Sequence, residues 1–108
     1  MHAVAVLDPD VVDAIGTDLG TGEVVLTIID HLRWDDDHHL GALRDKLNRH
    51  LAFIESGELI DAYPDAKGRS VRIEIVCQHR PVGRGLEFLE NARVTIQQAG
   101  FSLTWRDS

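Results

Sequence analysis

Hydrophobic and polar residues alternate along GEVVLTIID (residues 22–30), with Val24, Leu26 and Ile28 on one side and Val25, Thr27 and Ile29 on the other. A period of two marks a strand with two faces. The preceding run VVDAIGTD (11–18) is rich in strand formers, and the two glycines of LGTG between the runs permit a reversal, so the pair reads as a hairpin. From Asp35 or Asp36 the period lengthens: Leu40, Leu43, Leu47, Leu51 and Ile54 recur at spacings of three and four. That spacing predicts an amphipathic helix of about twenty residues. It ends at ESGEL, where Gly57 can take the left-handed conformation of a helix C-terminus.

AYPDAKG (62–68) reads as a turn-rich connection. RSVRIEIVCQH (69–79) alternates again, with Val71, Ile73, Ile75 and Cys77 opposite Arg72, Glu74, Val76 and Gln78. A second helix is predicted over about residues 85–99, with Leu86, Leu89, Ala92, Ile96 and Ala99 as its stripe and Gly100 as its stop. FSLTWR (101–106) closes as a strand with Phe101, Leu103 and Trp105 on one face. Residues 1–8 read as a loose arm, although Val4 and Val6 alternate and could add an edge strand.

The predicted order is β-β-α-β-α-β in a single domain spanning residues 1–108. Two helices with one apolar stripe each need one sheet face to cover. The expected fold class is therefore α+β: a two-layer sandwich of a four-stranded mixed sheet with both helices on one side. Right-handed crossovers make strands two, three and four parallel. The pattern leaves the strand order open.

Composition narrows function by exclusion. The chain is 44% hydrophobic and 27% charged with a net charge of −7, which fits a folded acidic domain. Such a surface repels phosphate backbones, so neither nucleic acid nor a membrane is expected as a partner. Arg69, Arg72, Arg80 and Arg84 lie close in sequence and read as ordinary surface arginines. The single cysteine, Cys77, excludes an internal disulfide and a Cys-rich zinc site. The N-terminal MHAVAVL lacks a basic region and a long apolar run, so a cytoplasmic setting is the expectation.

The densest group of candidate ligands is IDHLRWDDDHHL (29–40). His38 and His39 would point about 100° apart on a helix, but Asp35 and His39 share a face. His31 and His79 end strands two and three. If those strands are adjacent and parallel, all four side chains meet at the carboxyl edge of the sheet, where open α/β sheets bind ligands. His31, Asp35, His39 and His79 are thus one candidate metal set. The competing reading is a helix start. Asp35 caps it, Asp36 and Asp37 complement the dipole, and Trp34 at N′ staples to His39 at N4. That reading needs no cofactor, and none is expected.

Other candidates are weaker. RPVGRGLEF places two glycines before a helix, but Phe88 stands where a dinucleotide fingerprint has its third glycine. Arg80 and Arg84 form a candidate anion pair there. His50 reads as a half-buried histidine at the core edge, and His2 belongs to the arm. Cys77 alternates onto the core face as an inert thiol. Ser56, Ser70 and Ser102 have no nucleophile-elbow context, and nothing fixes the separation of Glu55, Glu58, Asp61 and Asp65.

The open face of the sheet is a surface candidate. It would carry Val25, Thr27, Ile29, Arg72, Glu74, Val76, Thr104 and Arg106, with Val25, Ile29, Arg72, Val76 and Arg106 as its interaction residues. Two functions follow. The preferred one is a non-enzymatic protein-interaction module whose partner is another protein or a second copy, for instance an immunity- or antitoxin-like binder of a basic effector. The alternative is a small metal- or anion-binding protein, with a hydrolase as one version, and its site at the carboxyl edge.

The segments DPDVVDAIGTD, GEVVLTIIDHLRW, KLNRHLAFIESGEL, YPDAKG and LEFLENARVTIQQAGF together resemble a family of small bacterial domains of unknown function. The combination of VVDAIG, DHLxW and FIESGE carries the resemblance across most of the chain from residue 8. It implies a single small α/β domain and no activity attached to any residue. The doubled histidine and DDD look particular to this chain.

Overall fold

The computed structural model describes residues 14–35 and 38–108. The expected arm with Val4 and Val6, His2, the start of the first strand run, and Asp36 and Asp37 lie outside the described residues. Strand β1 (Ala14–Thr17) and strand β2 (Val24–Asp30) form the antiparallel hairpin. Asp18 organises its turn: Oδ1 accepts the Gly20 N–H at 2.8 Å and the Thr21 N–H at 3.3 Å, and Gly22 takes a φ of 79°.

Helix α1 (His39–Glu55) crosses to strand β3 (Val71–Cys77), and helix α3 (Gly83–Gln98) crosses to strand β4 (Ser102–Asp107). A five-residue helix α2 (Glu58–Ala62) and a 3-10 turn (Pro64–Ala66) lie between α1 and β3. The sheet order is β1-β2-β3-β4, with β2, β3 and β4 parallel. Both crossovers advance in the same direction, and both helices pack on the same buried face of the sheet. The fold is the expected α+β two-layer arrangement.

Strands β2 and β3 bury alternate residues. Ile28, Ile73, Ile75, Cys77 and Leu103 meet Leu43 and Leu47 of α1 and Leu89 and Ile96 of α3. A second cluster joins Val24, Leu26 and Val71 to Leu59 and Ala66. The turn-rich connection over residues 62–68 contains the 3-10 turn, and together with α2 before it carries Leu59 and Ala66 in to close the amino end of the core. Gly57 has the expected left-handed φ, 91°, and it both ends α1 and starts α2.

Three helix details differ from the pattern. Helix α1 begins at His39 rather than Asp35 or Asp36, with His38 as an N-cap that makes no side-chain capping bond. The stripe of α3 runs through Gly85, Leu89 and Ile96, with Phe88 and Ala92 half-buried, while Leu86 and Ala99 are exposed. Leu86 satisfied the spacing to Leu89, but the buried row is offset by one and starts on a glycine. His50 is fully buried rather than half-buried, and its Nδ1–H donates to the Lys46 carbonyl at 2.8 Å.

Candidate functional site

The inward alternation of β2 does not stop at Ile28; it places Asp30 inside as well, 1% exposed. A buried carboxylate needs partners, and Asp30 has two. Oδ1 accepts the Leu32 N–H at 3.1 Å, and Oδ2 lies 2.5 Å from His39 Nε2. The other ring nitrogen of His39, Nδ1, is 2.9 Å from the Arg33 carbonyl. A carbonyl only accepts, so Nδ1 carries hydrogen. The remaining proton sits between Nε2 and the carboxyl group. The pair is thus an imidazolium facing a carboxylate or a neutral ring accepting from a carboxylic acid.

Trp34 closes this group. Its ring lies over His39 at a centroid distance of 4.1 Å, and its indole N–H donates to the His79 carbonyl at 2.8 Å. Gly85 of α3 is the floor beneath it: a Cβ there would come 2.3 Å from Trp34 Cε3. Asp30, His39, Trp34 and Gly85 therefore latch the end of β2, the start of α1, the β3–α3 loop and the first turn of α3. The same bonds explain the late start of α1, because residues 30–34 are already engaged as a loop. Trp34 and His39 do touch, as a staple would, but across a loop rather than at N′ and N4.

The metal set does not assemble. His39 is buried on Asp30 rather than placed beside Asp35, and Asp35 is exposed. Among the described residues no three His, Cys, Asp or Glu side chains are grouped to hold a metal ion. The ligand rule for sheet edges also loses its basis. It applies where strand order reverses, and β2, β3 and β4 advance without reversal. Arg80 and Arg84 are both exposed at the start of α3. Arg80 Nε lies 3.9 Å from Asp107, and Gly85 is taken by Trp34, so the glycines serve packing and a φ of 54° at Gly83.

Cys77 is paired in register with Asp30 on one side and Asp107 on the other. With His39 nearby through Asp30, this superficially resembles a nucleophile, base and acid. The electrostatics oppose it: burial, and then the Asp30 and Asp107 carboxylates, push the thiol up to about 12. A nucleophilic cysteine needs the opposite shift.

The open face does bring its residues together. Ile29, Val76 and Arg106 form one row across β2, β3 and β4, and Val25 sits beside Arg72 four residues back along the strands. Arg72 donates to Glu23 at 3.1 Å, Asp18 at 3.2 Å and Glu74 at 3.5 Å, while Arg106 Nε donates to Glu74 at 2.6 Å. The Gly20 N–H above all, with Arg72 and the Thr21 N–H, holds the Asp18 carboxyl below its ordinary range. The charges of this face are thus spent on one another, and Ile29 is 44% exposed beside them.

Fold and site define a small two-layer α+β domain whose buried Asp30–His39 pair at the carboxyl edge is closed on the fold itself. The chain belongs to the family of unknown function DUF6572, whose model matches residues 4–108. No curated protein and no solved structure matches it. No helix among the described residues is long and apolar enough to cross a membrane.

Proposed function

We propose that the domain is a non-catalytic protein-interaction module that offers the open face of its sheet to a protein partner. The observation that carries this reading is the row of Ile29 and Val76, with Val25 on the same face beyond the Thr27–Glu74 row, on a face whose charges are already paired. Covering such a strip removes apolar surface from water without stranding an ion. The net charge of −7 favours a basic partner, for which an immunity- or antitoxin-like role is the concrete form.

Size selects among partners. The face measures on the order of 400 Å², from four strands about 4.8 Å apart and roughly 20 Å long. Each side of a standard specific interface buries about 800 Å². A partner must therefore reach past the face onto its rim. The test is co-purification with the products of neighbouring genes, comparing wild type with Ile29→Glu and with Leu19→Glu. Leu19 is 96% exposed in the hairpin turn and serves as control. A partner lost with Ile29→Glu and kept with Leu19→Glu supports the reading; a partner indifferent to both substitutions sinks it.

A further inference from the structure

Strand β4 is last in the sheet order, and its register with β3 runs unbroken from Arg72–Ser102 to Cys77–Asp107. No bulge turns it away from a neighbour. The Ser108 N–H donates to the Cys77 carbonyl at 2.8 Å, which fixes the phase of the strand. Backbone groups alternate sides along a strand. Ser102, Thr104 and Arg106 therefore direct theirs to β3, and Leu103, Trp105 and Asp107 direct theirs outward.

Edges of natural sheets are commonly guarded by lysine, proline or a charge that projects across them. The sequence of β4, SLTWRD, has no lysine and no proline. Both of its charges have partners on their own chain, Arg106 on Glu74 of β3 at 2.6 Å and Asp107 on Arg80 of the β3–α3 loop at 3.9 Å. Trp105 lies half-buried on this same edge strand. Among the described residues, an open ladder, the lack of lysine and proline, and a half-buried aromatic coincide on one strand.

We propose that this edge pairs with the same edge of a second copy, antiparallel about a two-fold axis at Thr104, to make one continuous eight-stranded sheet. The register follows from side-chain faces. With the axis at Thr104, Leu103 and Trp105 of opposite copies form the hydrogen-bonded pairs, both on the helix side, where an aromatic–aliphatic pair is favourable. Thr104 meets Thr104 and Ser102 meets Arg106 on the open side, with no like charges opposed. Moving the axis to Trp105 sets the Asp107 carboxylate against Leu103 inside the ladder, whereas with the axis at Thr104 it meets only Phe101, which precedes the strand. Moving it to Leu103 shortens the overlap and leaves Arg106 beyond it. An edge contact of this length falls among small, weak interfaces, so the dimer forms in the micromolar range. Pairing would also double the open face. The inference stands apart from the partner proposed above, because it concerns the edge rather than the face.

Sedimentation velocity across a concentration series on the full chain, with two substitutions, tests it. Wild type shifts from monomer to dimer. Thr104→Lys, which places like charges opposite each other on an exposed position, raises the dissociation midpoint about tenfold or more with an unchanged circular dichroism spectrum. Thr104→Cys forms a disulfide-linked dimer on mild oxidation, because facing residues of a non-hydrogen-bonded antiparallel pair sit about 4.5 Å apart at Cα. Ser102→Cys does not, since it faces Arg106 and not its own symmetry mate. Wild type that stays monomeric to high micromolar concentration overturns the proposal, as does equal cross-linking of the two cysteine variants.

Discussion

Asp30 and His39 stand nine residues apart, one ending a strand and the other opening a helix, and share a 2.5 Å hydrogen bond in the fully buried interior. Removing one member of such a pair strands the other. Asp30→Ala is expected to cost about 1–3 kcal/mol or more, the cost of leaving a buried polar group without its partner. Asp30→Asn costs less, because its amide N–H can donate to Nε2 of a neutral His39. Urea denaturation of the two variants measures the difference. Equal losses would mean that the hydrogen bond contributes little and that only the space matters.

Trp34 and Gly85 give a prediction with an inverted sign. Alanine in place of a helical glycine ordinarily stabilises by roughly 0.5–1 kcal/mol. At Gly85 the new methyl would overlap Trp34 Cε3 at 2.3 Å, so Gly85→Ala is expected to destabilise by about 1–3 kcal/mol, as overpacking does. Trp34→Leu should relieve most of that penalty when the two are combined. Thermal melts of both single variants and the double variant close this cycle.

The fold was legible because it rests on periodicity. Alternation in β2 and β3 and the leucine spacing of α1 report directly which face is buried. The latch was less legible because its members sit where patterns end. Asp30 was readable in principle: it continues the inward parity of Val24, Leu26 and Ile28, and an inward aspartate demands a donor. The DDD and HH letters point to Asp35 instead. Gly85 carries no hydrophobic mark, so the buried stripe of α3 was assigned to Leu86, one position late. Nothing local in the sequence says that Trp34 reaches across to α3, since that contact depends on the strand order. The open-face row followed from parity alone, while its pairing into an Arg72 network required the register.

Asp18 ties the hairpin turn to β3 through Arg72, and its pH dependence has a definite direction. Its carboxyl is held below the ordinary value of 3.8, so folding favours the ionised form. The stability it contributes is present above that value and is lost as pH falls through the lower, folded one. Asp18→Asn should therefore destabilise the protein at neutral pH and converge on wild type in strong acid. Guanidine-free thermal melts across the acid range check this. A gap between the two proteins that is constant with pH would assign the effect to turn geometry and not to charge.

Cys77 is expected to be silent as a reagent and visible as a titrating group. Its thiol is pushed from 9.0 up to about 12, so at mildly alkaline pH the folded protein holds it neutral, and a disulfide reagent should modify it only at the rate of unfolding. The linkage runs opposite to that of Asp18. Below about 9 the thiol is protonated in both folded and unfolded chains and costs nothing. Between about 9 and about 12 the unfolded chain releases the proton and the folded one does not, so stability falls as pH rises. Cys77→Ala removes that slope. Measured against pH, the stabilities of wild type and variant should run parallel up to about 9 and then approach or cross, with wild type falling faster. Parallel curves throughout, or rapid labelling of the native protein, would show that the thiol is less shielded than its place between Asp30 and Asp107 requires.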